Sequence, residues 1–366
     1  MLYRRMIKPI LFKMDPEKAH HLTIGGLKAA GSIPGALAML GGMYGWKVDE
    51  RLASEVCGIR FPSPVGLAAG LDKNGQAVPA FSRIGFGFIE VGTVTPKGQP
   101  GNELPRLFRL PPDDALINRM GFNNDGADKM ADHLRRLKQR TVPVAVNIGK
   151  NKLTPNEDAV SDYRACIDTL FPYADFFVVN ISSPNTPDLR KLQHGEQLSE
   201  LLSAVCDEMR TQHQKYAQTP KKPIFVKIAP DLNETELKDI IDVVSKSEIS
   251  GIIATNTTLS RDGLQHPNAT QAGGLSGRPL TARSTEVIRT IFQATDGKLP
   301  IIGVGGIFNA DDAYEKIRAG ASLVEVYTAL IYRGPGLLKE IGQGLIRRLE
   351  QDGFSRISDA VGADFR

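Results

Sequence analysis

The sequence is poor in cysteine, in long hydrophobic runs and in nucleotide-binding fingerprints, and each shortage excludes a class of protein. Its cysteines, Cys57, Cys166 and Cys206, lie far apart without a CxxC pair. Neither a disulfide framework nor a metal site is therefore expected, and the chain suits a reducing compartment. No apolar run approaches the roughly 18 residues that cross a bilayer, and no signal peptide is evident. We expect no membrane-spanning helix.

Net positive charge is concentrated at the N-terminus, and the rest of the chain is neutral overall. The 366 residues carry a formal net charge of +4, with 41% hydrophobic and 23% charged residues, as in an ordinary globular protein. Residues 1–30 contain six basic and two acidic residues, an excess of four that equals the net charge of the whole chain. A basic nucleic-acid groove across the main body is not expected.

Eight short apolar runs bounded by turn residues recur along the sequence. They are "PVGLAAG", "GFGFIEVGTV", "VPVAVNIG", "DFFVVNIS", "PIFVKIA", "SGIIATNT", "PIIGVGG" and "SLVEVYTA". Continuous rather than alternating apolar runs are typical of parallel strands covered on both faces. Helical stretches separate them, for example at Leu198, Leu201, Leu202, Val205 and Met209, and at a capping box of Asn233 and Glu236. The pattern predicts an α/β fold, a (β/α)₈ TIM barrel.

Polar side chains and glycines follow the predicted strands, where a barrel collects its chemistry. They are Asp72, Lys73, Thr93, Asn147, Asn180 to Asn185, Lys227, Thr255, Asn256, Thr257, Gly305, Gly306, Tyr327 and Thr328. One Ser or Asn after a strand is usually a turn former or helix cap. Lys227 differs, because a lysine among buried apolar residues needs a polar or anionic partner. The repeated pattern predicts one shared binding site.

Glycine-rich stretches suggest which ligand is bound. "GVGGI" ends the seventh predicted strand, and the loops after strands seven and eight commonly bind phosphate in such barrels. "GGLSGRPL", with Gly277, reads as a further flexible loop. Each stretch could also be an ordinary turn. The sixth residue of "GVGGIF" is Phe308, so no G-x-G-x-x-G fingerprint exists, and a phosphate-bearing mononucleotide cofactor is favoured over a dinucleotide.

Ten ordered motifs between residues 65 and 330 carry a specific resemblance. They are "AAGLDKNG", "GTVTPKGQPGNELPRLFRL", "INRMGFNN", "NIGKNK", "NISSPNTPDLR", "VKIAPDL", "ATNTT", "GGLSGRPL", "IIGVGGI" and "ASLVEVYTAL". Together they resemble the quinone-dependent (class 2) dihydroorotate dehydrogenases of pyrimidine biosynthesis. That resemblance implies a TIM barrel with one FMN per chain, which oxidises dihydroorotate to orotate and passes the electrons to ubiquinone or menaquinone.

The resemblance also assigns binding residues, position by position. FMN contacts fall at Ala69, Gly70, Leu71, Asp72, Lys73, Thr93, Asn147, Asn180, Lys227, Thr255, Gly277, Gly306, Tyr327 and Thr328. The dihydroorotate or orotate site comprises Lys73, Asn118, Arg119, Met120, Gly121, Phe122, Asn180, Asn185, Asn256 and Thr257. Amide side chains suit this ring, since each offers both a donor and an acceptor, and Lys73 can balance the carboxylate.

Ser183, in "NISSPNT", is the catalytic base that the resemblance implies. Serine is a weak base at its normal pKa, so we expect Thr186 to relay the proton through a water while Phe122 excludes bulk solvent. Cytosolic relatives that use fumarate or NAD have cysteine in the corresponding motif, and no cysteine stands in this loop. The serine favours the quinone-linked class.

The N-terminus predicts two short amphipathic helices. Tyr3, Met6, Ile7, Ile10, Leu11 and Met14 repeat at helical spacing, and Asp15 caps a second helix with Ala19, Leu22 and Leu27 facing inward. A hairpin that plugs the barrel is one interpretation. The favoured one is a basic pair lying on anionic lipid, with quinone access lined, by the resemblance, by His20, Arg109 and Tyr327. Residues 1–45 would form this extension and residues 46–366 the FMN-binding barrel.

These features predict a monomeric, peripheral membrane protein on the cytoplasmic face of a bacterial inner membrane. Two alternatives stay open: a soluble FMN barrel that uses fumarate or NAD, and a membrane-docked flavin-binding protein without catalytic activity. Each would bind FMN, so the electron donor and acceptor must distinguish them.

Overall fold

The computed structural model describes residues 3–137 and 141–366, and a closed parallel barrel forms its centre. The barrel strands are β1 (Val65–Leu67), β2 (Phe88–Val94), β3 (Val144–Ile148), β4 (Phe176–Asn180), β5 (Ile224–Ile228), β6 (Gly251–Ala254), β7 (Ile301–Val304) and β8 (Leu323–Val326). They pair in chain order and β8 pairs with β1. The predicted TIM barrel and its eight strands are confirmed.

Aromatic side chains fill the N-terminal end of the barrel. Phe88, Phe176 and Phe225 stand at or near the first residues of β2, β4 and β5 and are buried. Phe61, from a hairpin of Ser54–Val56 and Ile59–Phe61, meets the Phe88 ring edge-to-face at 5.3 Å. Because apolar side chains fill this end of the barrel, the polar groups collect at the opposite end, where the strands finish.

Helices surround the barrel. They are α1 (Lys8–Lys13), α2 (Pro16–Ser32), α3 (Ala36–Tyr44), α4 (Val78–Arg83), α5 (Ala127–Arg135), α6 (Ala159–Leu170), α7 (Gly195–Lys215), α8 (Glu234–Ser245), α9 (Thr281–Ala294), α10 (Ala310–Arg318), α11 (Thr328–Arg333) and α12 (Leu337–Asp352). The predicted apolar face of α7 is buried, and the capping box of Asn233 and Glu236 opens α8. Among the helices of residues 3–137 and 141–366, none offers an apolar stretch long enough to cross a bilayer.

A three-stranded antiparallel sheet stands over the barrel mouth, where the sequence suggested loops. Its strands are Leu107–Leu110, Ala115–Asn118 and Gly274–Gly277, with Asn118 paired to both neighbours. The stretch "GGLSGRPL" is therefore partly a strand rather than a flexible loop. A smaller pair, Lys97–Gln99 with Asn124–Gly126, lies nearby. These strands bring the loops after β2 and β6 together.

The N-terminal region has three helices where two were predicted. A π-helical turn at Tyr3–Ile7 leads into α1, and Asp15 caps α2 as expected, accepting from two backbone N–H groups. Ala19 is buried, but the inward placement of Leu22 is wrong, since Leu22 is 58% exposed. The glycine-rich α3 was missed because Gly41 and Gly42 weaken its helical signal.

A buried ion pair fastens α2 to the segment that leads into the strand Leu107–Leu110. The Glu17 carboxylate accepts from Arg106 Nη2 at 2.8 Å and from its Nε, and the two side chains are only 9% and 11% exposed. Burial opposes ionisation of Glu17, but the Arg106 guanidinium outweighs it and the pKa of Glu17 is lowered.

Glu17→Ala is expected to lower the free energy of unfolding by about 3 kcal/mol, because it leaves the Arg106 charge buried and unpaired. Urea unfolding of the full chain measures this. Glu50→Ala is the control, since the Glu50 pair with Arg60 is 82% and 68% exposed and should change stability by about 0.5 kcal/mol or less. Equal effects of the two variants would contradict an anchoring role for Glu17.

Candidate active site

One cavity opens at the C-terminal ends of the barrel strands, beneath the antiparallel sheet. Residues from nearly every strand end border it. Of the positions that the sequence assigns to cofactor or substrate, these line it: Ala69, Gly70, Lys73, Thr93, Asn118, Met120, Gly121, Phe122, Asn180, Ser183, Asn185, Lys227, Thr255, Asn256, Thr257, Gly277, Gly306, Tyr327 and Thr328. Side chains far apart in sequence thus meet at one mouth.

Hydrogen-bonded amides and hydroxyls form one wall of this cavity. Asn180 Nδ2 donates to Thr93 Oγ1 at 2.9 Å and to Asn147 Oδ1 at 3.1 Å. Asn256 Nδ2 donates to Ser182 Oγ at 3.0 Å. These bonds join the ends of β2, β3, β4 and β6, and because buried amides are held by their partners, the wall presents donors and acceptors in fixed directions.

Hydroxyl groups with unused hydrogen-bonding capacity lie on the cavity lining at Thr257 and outside the lining, in the loop of Ser183, at Thr186. Ser183 is 6% exposed, and its Oγ accepts from the Asn185 backbone N–H at 3.3 Å. Asn185 Nδ2 in turn donates to Asn118 Oδ1 at 3.2 Å. The buried Oγ1 atoms of Thr186 and Thr257 have no hydrogen-bond partner within the described part of the chain. Such groups are suited to hold a water or a ligand.

A charged cluster lies under the cavity. Lys227 Nζ donates to Glu90 Oε2 at 2.6 Å and to Glu325 Oε2 at 3.4 Å. Burial alone would lower the pKa of Lys227, but the carboxyls of Glu325 and Glu90 raise it. The sequence reasoning named Lys227 and missed both glutamates, although each carried the same signal, a charged residue inside an apolar strand.

Glycines form the wall near β7 and α11. Gly306 has φ of +70°, and a Cβ there would come within 2.6 Å of the Thr281 backbone nitrogen. Any side chain is therefore excluded and the backbone itself faces the cavity. Next to it, Ser276 Oγ and Thr328 Oγ1 are hydrogen-bonded at 2.8 Å. Exposed backbone and paired hydroxyls are the groups that hold a phosphate.

Lys73 supplies a positive charge at the rim. Burial lowers the pKa of Lys73 to about 8. The Glu17 carboxylate opposes this shift, and the Arg106 guanidinium adds to it. The ammonium is therefore charged at neutral pH but loses its proton more readily than an exposed lysine.

Four assigned positions lie off the cavity lining. Leu71 borders a second cavity, and the buried Asp72 carboxylate accepts from the backbone of Gln76 and Ala77. Asn147 stands behind Thr93 and donates to Glu90 Oε1 at 2.7 Å. The Arg119 guanidinium donates to Gln271 Oε1 and stacks over the Phe108 ring at 4.7 Å. These side chains support the wall rather than face the cavity.

A second, mainly apolar cavity lies between the N-terminal helices and the barrel. His20, Arg109 and Tyr327 all line it, together with aliphatic residues of α1, α2 and α3. Burial lowers the pKa of His20 to about 3, so its imidazole is neutral. Arg109 Nη1 donates to the Met14 carbonyl at 2.8 Å. Leu107, Leu116 and Tyr327 line both cavities, which are therefore adjacent.

Comparison with known proteins shows the family of this chain. The sequence model of the family "Dihydroorotate dehydrogenase" matches residues 51–349. A protein of Deinococcus deserti, "Dihydroorotate dehydrogenase (quinone)", is 57% identical over 363 residues, which cover 99% of this chain and all of the relative. One of Deinococcus radiodurans with the same description is 53% identical, covering 97% of this chain and 98% of that protein.

Solved structures show the same similarity. DHODH from Eimeria tenella, in its complex with ferulenol, superposes with a TM-score of 0.88 at 42% identity, and 96% of each chain is covered. The ligand-free form gives a TM-score of 0.87 over 96% of this chain and all of that one. By sequence and by fold, this chain belongs to the quinone-dependent dihydroorotate dehydrogenases.

Proposed function

We propose that this enzyme oxidises (S)-dihydroorotate to orotate with FMN as hydride acceptor and a membrane quinone as electron acceptor, in pyrimidine biosynthesis. One observation carries the proposal. The polar cavity that holds Ser183 and Lys227 shares a wall with an apolar cavity lined by the N-terminal helices. A cofactor placed at that wall is accessible from two sides, one for an anionic substrate and one for a lipid-soluble acceptor.

The chain's own residues fit FMN. Backbone at Gly277, Gly306 and Thr328 would hold the phosphate, and Lys227 would face the flavin ring system. The side chains of Thr93, Asn180 and Thr255, at the ends of the alternate strands β2, β4 and β6, would bind its polar edge. When bound, FMN supplies a two-electron acceptor that a quinone can reoxidise. An extended dinucleotide is disfavoured, because the glycine stretch lacks the G-x-G-x-x-G fingerprint.

Ser183 is the proposed base. Its buried Oγ accepts a weak backbone hydrogen bond, so its own proton is free to be passed on. The hydroxyl takes a proton from the substrate ring as the neighbouring carbon loses its hydride. Thr186, buried and without a hydrogen-bond partner among the described residues, is placed in the same loop to relay that proton through a water. Phe122 lines the cavity and limits its contact with bulk solvent.

Asparagines and Lys73 hold the substrate. Asn118, Asn185 and Asn256 line the cavity from three different segments, and their amides match the alternating N–H and C=O groups of the ring. Lys73 balances the substrate carboxylate. The hydrogen bond from Asn185 to Asn118 holds two of these amides in fixed positions, so the ring is oriented before reaction.

Orotate affinity is expected to fall as the pH rises above about 8, by up to about tenfold per pH unit, because Lys73 then loses its charge. Below that pH Lys73 is protonated and the affinity should be flat. Perturbation of the flavin spectrum by orotate measures the dissociation constant. Lys73→Gln should bind weakly and remove the slope, whereas Lys97→Gln, on the surface, should keep it. An unchanged slope in Lys73→Gln would refute the assignment.

We propose that residues 1–45 form a quinone-access extension whose helices lie on the membrane, and that residues 46–366 form the barrel. Large hydrophobic side chains exposed on the described surface are concentrated there: Met6, Ile7, Ile10, Leu22, Ile33, Met39 and Met43, against Leu104, Leu153, Leu259 and Phe365 elsewhere. The excess of basic residues lies in the same segment. Exposed apolar groups beside cations suit an anionic bilayer surface. We propose that this surface is the cytoplasmic face of a bacterial inner membrane and that the chain binds it as a monomer.

Replacing Met6 and Ile10 by Ser should weaken binding to anionic vesicles about tenfold or more, since each buried side chain contributes about 1.5–3 kcal/mol when fully transferred. Vesicle sedimentation measures the partition. Leu153→Ser removes a side chain that is 95% exposed on the barrel and should leave the partition unchanged. Equal losses in the two variants would argue against a membrane face at the N-terminus.

The cofactor and product test the function directly. Flavin released from the purified chain should be FMN at one per chain, and anaerobic dihydroorotate should yield one orotate per flavin. FAD in place of FMN, or bound flavin without orotate formation, would overturn the proposal.

A further inference from the structure

Two carboxyl groups share one ammonium beneath the cavity, and the proposed reaction assigns a role to neither. Glu90 comes from β2, Lys227 from β5 and Glu325 from β8. The glutamate side chains are 0% exposed and that of Lys227 is 6% exposed. Since an ionised group in such surroundings costs several kcal/mol unless it is compensated, one lysine can balance only one of the two carboxylates.

Hydrogen bonds show which carboxyl carries the charge. Glu90 Oε2 accepts from Lys227 Nζ at 2.6 Å and from the Ala69 backbone N–H at 2.9 Å, while its Oε1 accepts from Asn147 Nδ2 at 2.7 Å. Donors on both oxygens stabilise the ionised form. Burial favours the neutral form of Glu90, but Lys227 and these donors lower its pKa.

Glu325 is in the opposite situation. Its Oε2 is 3.4 Å from Lys227 Nζ, and its buried Oε1 has no hydrogen-bond partner among the residues that the structure describes. The residue nevertheless lines the cavity. Burial and the Glu90 carboxylate raise the pKa of Glu325 well above its usual range, and the attraction of Lys227 does not reverse this. Two carboxyls this close to one another do not ionise together.

Resting on the flavin site proposed above, we propose that Glu325 is a neutral carboxylic acid, so that the Glu90–Lys227–Glu325 cluster has zero net charge and does not oppose reduction of the flavin. A reduced flavin carries more negative charge than an oxidised one, so a second buried carboxylate beside it would oppose electron uptake. Glu325 acts through the charge of the cluster and transfers no proton to the substrate.

The net charge of the cluster in each variant distinguishes a neutral Glu325 from an ionised one. With a neutral Glu325, Glu325→Gln leaves the net charge at zero. Glu90→Gln also leaves it at zero, because Glu325 then becomes the counter-ion of Lys227 and ionises. Only the double variant leaves an unbalanced positive charge. The two substitutions are therefore expected to be strongly non-additive, whereas an ionised Glu325 would make each substitution raise the potential in turn.

Infrared difference spectroscopy measures the protonation state of Glu325 and does not depend on enzyme activity. A protonated carboxylic acid has a carbonyl stretch at higher frequency than a carboxylate. The spectrum of the wild type minus Glu325→Gln should show such a band in both FMN-loaded and FMN-free protein, and the band should also be absent from Glu90→Gln. Glu340→Gln, whose side chain is 52% exposed, is the control and should leave the band in place. Persistence of the band in Glu325→Gln would overturn the proposal.

The flavin midpoint potential provides the second readout. Glu325→Gln should change the equilibrium between oxidised and reduced flavin by less than tenfold, which is about 30 mV for a two-electron couple, and should retain FMN. The double variant should raise the potential by more than that. A larger rise in Glu325→Gln alone would mean that a negative charge had been removed. Should the chain bind no FMN, the function proposed above fails, while the band in flavin-free protein still decides the state of Glu325.

Discussion

Ser183→Ala should retain FMN and bind orotate nearly normally while flavin reduction by dihydroorotate slows about 10²- to 10⁴-fold, the usual contribution of a positioned acid or base. The substitution removes a single buried oxygen, which accepts a 3.3 Å hydrogen bond from the Asn185 backbone N–H. Little packing is lost, so the effect should fall on the rate rather than on binding. Anaerobic stopped-flow measures the reduction step alone.

Ser182→Ala is the matched control, because it deletes the same atom one residue earlier. Ser182 Oγ accepts from Asn256 and donates to Asn180 Oδ1 at 3.2 Å, so its loss should disturb orotate binding more than the chemical step. Reduction of Ser183→Ala within a few-fold of wild type would eliminate Ser183 as the base. A rate loss in Ser182→Ala as large as that in Ser183→Ala would assign the effect to the loop as a whole.

Blocking the apolar cavity should stop electron transfer to quinone and leave reduction by dihydroorotate intact. Ala19 is buried on α2 and lines that cavity, so Ala19→Phe places a ring where quinone is proposed to pass. Overpacking typically costs about 1–3 kcal/mol, and reoxidation by a long-chain quinone in vesicles should fall about tenfold to hundredfold. A small soluble dye that reaches the flavin through the polar cavity should react as before.

Ala29→Phe, an exposed position on the same helix, provides the control and should react normally with both acceptors. Rates are normalised to bound FMN, so that any loss of cofactor is not counted as lost access. A parallel fall in the quinone and dye rates of Ala19→Phe would contradict the access role. It would instead support the interpretation that the N-terminal helices only plug the barrel.

The sequence predicted the barrel well because its strands are continuous apolar runs, and the side chains that follow them could be placed at one mouth. The same logic fails for Leu107–Leu110, Ala115–Asn118 and Gly274–Gly277. Gly274–Gly277 pairs with Ala115–Asn118, more than 150 residues earlier, and a glycine-rich strand gives no apolar pattern. Local sequence therefore could not show that the substrate loops are tied together by a sheet.

The site could have been predicted more fully than it was. Glu90 in "FIEVG" and Glu325 in "LVEVY" interrupt apolar strands as Lys227 does in "FVKIA", and applying one rule to all three would have found the charged cluster. The ion pair of Glu17 with Arg106 gave no such signal, because Glu17 stands among polar neighbours and Arg106 precedes the strand Leu107–Leu110, which the sequence did not predict. Only the packing of α2 against that segment buries the pair. Burial created by tertiary packing cannot be read from a local pattern.

The transfer of electrons from dihydroorotate to quinone is the central claim, and one sequential anaerobic mixing experiment tests it most directly. The FMN-loaded full chain is first mixed with one equivalent of dihydroorotate per flavin and then, in separate runs, with ubiquinone or menaquinone in vesicles, with fumarate or with NAD⁺. We predict bleaching of the flavin in the first step and recolouring with quinone alone. Recolouring by fumarate or NAD⁺ as fast as by quinone, or no bleaching at all, would contradict the account.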